Sequence, residues 1–335
     1  MLIKTVKKQN DMQLVLDKRG IHLSVEDGLF KVKVQDQLQR VPTSKLQSII
    51  MHKSASLTTD AVLLAIENEI EILFFNKIGQ SQGRIWSHKY GSISNIRKNQ
   101  IGFSQNKKGA QWVIKNIAKK IANQSALLLT LGVPDGSTDK IIEKAMEKLQ
   151  KPLQKLAALE YEKMSDVADK IRGYEGNASR VYWACINDHL PSQYRFEKRS
   201  QHPALDMFNA MLNYAYGILY SKVESVLIQA GIDPYIGIMH RDEYNRPVFV
   251  YDFIEPYRIW ADYVVLHLCM QQIVFIEFFQ IENHVFYLNA QAKRILIQSF
   301  NDYFEDPIKL NGVDRSRNGH LLLHAQKLAT QLKKQ

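Results

Sequence analysis

The chain has 335 residues, room for about two domains, and 45% of them are apolar, which excludes a disordered chain and supplies a core for each domain. Lys and Arg number 44 against 34 Asp and Glu, a formal charge of +10. That balance suits a nucleic-acid partner, although an anionic membrane or an acidic protein would satisfy the total equally well.

The opening residues Met1-Leu2-Ile3-Lys4 run straight into polar Lys7-Lys8-Gln9-Asn10, so no signal peptide is expected. Two cysteines, Cys185 and Cys269, cannot build a disulfide framework or a zinc cluster; as buried thiols they suit a reducing cytoplasm, the expected location. Ile21 to Val25 and Phe30 to Val34 alternate apolar and polar residues around Asp27-Gly28, the pattern of a β-hairpin. Thr58-Thr59-Asp60 can cap a short helix carrying Val62, Leu63, Leu64 and Ile66, and Ile70 to Phe75 reads as a buried strand. Residues 1–92 therefore read as a small β-rich, sandwich-like domain. The run 91–100 is small, polar and basic, which puts a linker at 93–100.

Beyond it the period changes to that of helices. Ser137-Thr138 offers a cap for a helix with Ile141, Ile142, Ala145 and Leu149 on one face. Helical patterns follow at 155–171, 175–188, 205–230, 256–280 and 288–304, and the tail from Gly319 reads as a last helix. His267, Gln271, Gln272 and Glu277 interrupt the most apolar stretch, Tyr263 to Phe279, which makes it a buried helix rather than a membrane span. The expected fold class is α+β, with a β-rich domain followed by a mainly α-helical domain over 101–335.

Charge is unevenly placed. From Ile72 to Pro134 there is no Asp or Glu, while ten cations occur: Lys77, Arg84, Lys89, Arg97, Lys98, Lys107, Lys108, Lys115, Lys119 and Lys120. Such runs are usually solvated faces, but this one matches the whole net charge and is read as a phosphate-binding surface. Trp86, Tyr90, Phe103 and Trp112 are interleaved; stacking on bases is open to them, with core packing the commoner role.

Three separated patches carry metal-binding groups: Gly173-Tyr174-Glu175-Gly176, Ile236-Gly237-Ile238-Met239-His240, and Asp252-Phe253-Ile254-Glu255-Pro256-Tyr257-Arg258. Carboxylates suit Mg²⁺ or Mn²⁺, and one imidazole tilts the choice toward Mn²⁺. Each residue also has an ordinary reading. Glu175 fits a first-turn glutamate opening a helix, His240 a hydrogen-bonded core histidine, and Asp252 with Glu255 a capping box in spacing.

The segments RGYEGNASRVYW (172–183), NAMLNYAYGILY with GIDPYIGIMH (209–240) and VFVYDFIEPYR (248–258) resemble CRISPR-associated protein one, the spacer integrase of adaptive immunity. The resemblance covers most of 95–300. It implies Glu175, His240 and Glu255 as ligands of a Mg²⁺ or Mn²⁺ ion, with Asp252 accessory and Glu255 standing where many members have Asp. It implies catalysis by a 3′-hydroxyl transesterification that inserts spacer-precursor DNA into a CRISPR repeat. The implied partners are double-stranded DNA, a second copy of the chain, and CRISPR-associated protein two, with the N-terminal domain serving dimerisation and partner contact. Candidate DNA contacts are Arg84, Arg97, Lys98, Lys107, Lys108, Lys119, Lys120, Arg199 and Arg258. Arg199 matches a family arginine, but Gln201-His202-Pro203 replaces the proline-rich segment that often follows. Arg258 has two open roles, an ion-pair partner of the carboxylates or a phosphate clamp. Asn209, Tyr216 and Tyr220 match a family helix near the site, the tyrosines on one face. The alternatives are a stand-alone metal-dependent nuclease for branched DNA in repair, and a non-catalytic DNA scaffold, which would need a missing ligand.

Overall fold

A computed structural model describes residues 12–52, 54–76, 81–85, 94–131, 139–240 and 246–334. The N-terminal part holds two four-stranded sheets. One runs in the order β1 (Met12–Leu16), β5 (Leu46–His52), β7 (Glu71–Phe75), β8 (Ser81–Ile85), parallel except for β8; the other runs β4 (Gln37–Val41), β3 (Leu29–Val34), β2 (His22–Glu26), β6 (Ser56–Leu57). The β2–β3 hairpin turns at Asp27 and Gly28, both at positive φ (52° and 70°), the backbone a tight two-residue hairpin needs. Phe30, Val32 and Val34 point inward while Lys33 stays in water, so the alternation read from the sequence sets the core face. Leu14, Leu16, Leu23, Phe30, Ile49 and Ile72 share one core with Ala61 and Ala65 of α1 (Thr59–Glu67). Thr58 caps that helix by accepting the Ala61 amide.

The second part is helical. It comprises α2 (Ser94–Gln105), α3 (Lys107–Leu129), α4 (Lys140–Ala157), α5 (Ala168–His189), α6 (Met207–Gln229), α7 (Val248–Ile254), α8 (Arg258–Met270), α9 (Ala290–Glu305) and α10 (Arg317–Lys333). Two small hairpins join the later helices: β9 (Phe279–Glu282) with β10 (Val285–Leu288), and β11 (Pro307–Leu310) with β12 (Val313–Ser316). Helix α6 is buried almost all round and forms the hub, packing on α7, α8, α9 and α10.

Several expectations change. The residues expected as a linker begin α2 instead, because Ile96, Gln100 and Phe103 line up at helical spacing and are buried. The cap expected at Ser137-Thr138 lies outside the described residues; Asp139 caps α4, accepting from the amides of Ile141 and Ile142. The helix expected over 256–280 ends at Met270. Among the described residues no helix is long and apolar enough to cross a membrane.

Candidate active site and nucleic-acid interface

Three elements deliver the acidic groups. Glu175 lies inside α5, past its first turn, and does not open a helix as the sequence suggested; it accepts a hydrogen bond from Ser179 one turn on, at 3.0 Å. Glu255 sits on the 3₁₀ turn Glu255–Tyr257 between α7 and α8, where Pro256 cannot continue the α-helical ladder. This turn packs on α3, whose Asn123 donates to the Pro256 carbonyl at 2.7 Å. Asp252 is not an N-cap: it lies within α7, which begins after Pro247, so no capping box forms with Glu255.

Lys120 of α3 stands between the two glutamates. Its ammonium pairs with Glu175 Oε1 and lies 2.6 Å from Glu255 Oε2. Glu255 Oε1 accepts from Arg258 at 3.0 Å. Glu255 Oε2 is buried and, despite the nearby ammonium, has no aligned hydrogen-bond donor. Burial alone would raise the Glu255 carboxyl, but Arg258 and Lys120 outweigh it and hold it at about 2. Burial likewise opposes the Lys120 charge, and the two glutamates override it, so its pKa lies above the usual lysine value. Arg258 is therefore an ion-pair partner of Glu255, and its guanidinium also lies over the rings of Tyr216 (5.1 Å) and Tyr220 (5.4 Å) on α6.

His240 is held by Asp252. The Asp252 carboxylate is buried and accepts from the backbone amides of Ile238 (2.6 Å), Met239 (3.1 Å) and His240 (3.2 Å), and it lies 2.7 Å from His240 Nδ1. Since an ionised carboxylate can only accept, the Nδ1 proton faces Asp252, and in the neutral ring the lone pair is then on Nε2. Gly237 makes the loop possible: a Cβ there would stand 2.6 Å from the His240 carbonyl oxygen and 2.9 Å from Val248. The same loop is pinned further back by the buried Gln100 amide, which donates to the carbonyls of Asp233 and Ile236.

Glu175, His240, Glu255, Lys120, Arg180 and Arg199 line one cleft of about 660 Å³. A second, of about 860 Å³, runs past Tyr220, Arg246 and Tyr251, and the two share Tyr216, His240 and Arg258. Yet among the described residues no three His, Cys, Asp or Glu stand close enough to hold a metal ion. The expected convergence is thus partial: the glutamates meet at Lys120, and His240 shares their cleft. The donor set still fits a divalent cation, with two carboxylates, one Glu255 oxygen lacking an aligned donor, and an imidazole whose Nε2 is free.

The expected DNA contacts divide by exposure. Arg97, Lys98, Lys107, Lys108 and Lys119 are exposed, and Lys108, Lys115 and Lys119 share one stripe of α3. Lys107 pairs with Glu162 at 2.7 Å, and Lys119 stands over the Tyr257 ring. Arg84 is a correction: only 3% exposed, it is consumed by Glu71 and Glu224 and presents no charge to a phosphate. Lys120 is buried and Arg258 half-buried against carboxylates for the same electrostatic reason. Arg199 is half-buried, donating to Asn213 and lying 5.3 Å from Trp183, with Nη1 buried and unpaired. Phe103 is core and Trp112 stacks on Phe249, so neither offers a free base platform; Trp86 and Tyr90, like Lys77 and Lys89, lie outside the described residues.

Sequence reasoning missed one buried acid. Asp262, on α8, accepts from Tyr182 (3.0 Å) and Tyr216 (2.6 Å), and burial, against these bonds, pushes its carboxyl up to about 6. A lone Asp in the apolar run Ile259 to Met270 was the available signal.

Comparison with known proteins places this geometry in context. The family model described as CRISPR associated protein Cas1 matches residues 14–302. The CRISPR-associated endonuclease Cas1 1 of Archaeoglobus fulgidus is 30% identical over 94% of both chains. The CRISPR-associated protein Cas1 3 of Methanobrevibacter ruminantium is 28% identical over 76% of this chain and 72% of its own. Among solved structures, a casposase bound to integration product superimposes with a TM-score of 0.83 at 20% identity, covering 96% of this chain and 90% of its own. A Cas1 protein from Thermotoga maritima gives 0.79 at 18% identity, covering 96% of each. A Cas6-RT-Cas1–Cas2 complex gives 0.80 at 21% identity, covering 99% of this chain and 36% of its own.

Proposed function

The chain belongs to the CRISPR-associated Cas1 family, and we propose that it is a metal-dependent DNA endonuclease and integrase of CRISPR adaptation. The observation that carries this reading is the one cleft lined by Glu175, Glu255 and an Asp252-oriented His240 together with Lys120 of α3, the helix that also carries the exposed lysines. A Mg²⁺ or Mn²⁺ ion held by Glu175, His240 and Glu255 would polarise the scissile phosphodiester and stabilise the leaving oxygen. The protein's own groups do the rest. Lys108, Lys115 and Lys119 draw the DNA backbone along α3, and Arg180 and Arg199 add positive charge to the lining of the cleft. Asp252 fixes the tautomer of His240, and Arg258 anchors Glu255 so that its other oxygen faces inward. The nucleophile is a DNA 3′-hydroxyl: its oxygen bonds to phosphorus as the old ester oxygen leaves and takes up the proton, so strands are joined; water in its place gives cleavage.

The substrates on this reading are a spacer-precursor duplex and a CRISPR repeat. The working assembly on this reading is a homodimer with a Cas2 protein, the latter supported by the name of the similar Cas6-RT-Cas1–Cas2 complex. The test is a strand-transfer assay with the chain, that partner and a repeat-bearing plasmid. Strand joining is expected with Mn²⁺ or Mg²⁺, absent with EDTA, and lost in His240→Ala while DNA affinity holds. Joining by His240→Ala at the wild-type rate would overturn the site. Nicked product without joining would favour a repair nuclease instead.

A further inference from the structure

The Lys120 ammonium is buried between two carboxylates. It is 7% exposed and touches both glutamates that the proposed metal site uses. Around it two carboxylates, Glu175 and Glu255, meet two cations, Lys120 and Arg258, and Arg258 engages only Oε1 of Glu255. Among the described residues, Lys120 is the cation paired with both glutamates. A lysine is suited to give way: it is a point charge on a flexible four-carbon stem, whereas the Arg258 guanidinium is wedged between Glu255 and the faces of Tyr216 and Tyr220. Two like charges at one pair of carboxylates repel strongly once water is excluded.

We infer that Lys120 is a displaceable internal counter-ion, which keeps Glu175 and Glu255 together and competes with the divalent cation for them. This rests on the metal-site reading above. Released from the glutamates, the ammonium remains within the cleft that holds Arg180 and Arg199, where a DNA phosphate is the next available anion. Metal entry and phosphate capture are then linked through one side chain.

The experiment uses the full chain without DNA, titrated calorimetrically with Mn²⁺, and compares wild type with Lys120→Gln, whose amide still donates to a carboxylate, and Lys120→Met. Lys120→Gln should bind Mn²⁺ about tenfold more tightly, the fold-change of a lost competitor of ~1.4 kcal/mol. In EDTA its melting temperature should fall by on the order of 5 °C, and Mn²⁺ should restore more of that loss than it adds to wild type. Equal or weaker Mn²⁺ binding by both variants, with binding lost in Glu175→Gln, would overturn the counter-ion role and leave the metal site standing. If Glu175→Gln binds Mn²⁺ as wild type does, the metal site itself falls, and the counter-ion role with it.

Discussion

Asp252 shows how much one side chain can organise. A single buried carboxylate closes the loop 238–240 by accepting three amides and orients the imidazole by accepting a fourth donor. Asp252→Asn should therefore keep the fold, since an amide oxygen can still accept, but it misplaces the Nδ1 donor. Strand transfer is expected to fall on the order of 10–100-fold, with DNA affinity measured by fluorescence anisotropy unchanged. A loss as complete as that of His240→Ala would instead make Asp252 a direct ligand. The family resemblance implied an accessory role for Asp252, but its hold on the 238–240 loop is not legible in the sequence. The three-residue spacing of Asp252 and Glu255 matches a capping box, and only the placement of α7 ahead of Asp252 shows that its lone pairs are spent on a different loop. Glu175, His240 and Glu255 stand out as candidates in the sequence because their motifs are local; the pairing of Lys120 does not, because its partners lie 55 and 135 residues away, and a lysine in an acid-free run looks like a phosphate binder.

At the scale of elements, α10 docks through a histidine. His324 is hydrogen-bonded to the Tyr257 hydroxyl at 2.7 Å and stacks among Trp112 and Phe253, directly behind the turn that carries Glu255. Burial, reinforced by Lys119 and Lys327, lowers it from the ordinary 6.5 to about 4; burial, with Lys293, does the same to His52 on β5. Both are neutral in the folded state but take a proton in the unfolded chain below 6.5. The unfolded state thus binds more protons between pH 6.5 and about 4, and stability falls as pH drops through that window. Melting temperature followed from pH 7.5 to 4.5 should decline, and His324→Phe should flatten the decline while leaving the His52 share. An unchanged profile would mean that His324 is already exposed to protons in the fold. Regular elements were the readable part of the chain: the β2–β3 hairpin, α1 and its Thr58 cap follow from turn and cap chemistry within a few residues. Helix α2 was hidden because its buried stripe includes Gln100, a polar residue whose role is set by carbonyls more than 130 positions away.

For the whole molecule, the net charge of +10 splits into cations already neutralised and cations free to meet DNA. Lys108, Lys115 and Lys119 belong to the second group, and each phosphate they neutralise adds roughly 0.9 to the slope of log affinity against log salt. Replacing all three with Ala should flatten that slope by about two units or more, measured by anisotropy across a salt series. Arg84→Met is the contrast: it should lower thermal stability and leave the slope alone, because its guanidinium lies between Glu71 and Glu224. A flattened slope in Arg84→Met, or an intact one in the triple variant, would reverse this assignment.

That same arginine joins the two halves mechanically. Glu71 and Arg84 belong to neighbouring strands of one sheet, and Glu224 lies one helical turn beyond Tyr220, the residue that cradles Arg258. Removing one partner of such a buried pair leaves an uncompensated charge and costs roughly 3–5 kcal/mol. The β-rich part is thereby clasped to α6, and moving the sheet edge away from the helix whose tyrosines lie under Arg258 requires this ion pair to open.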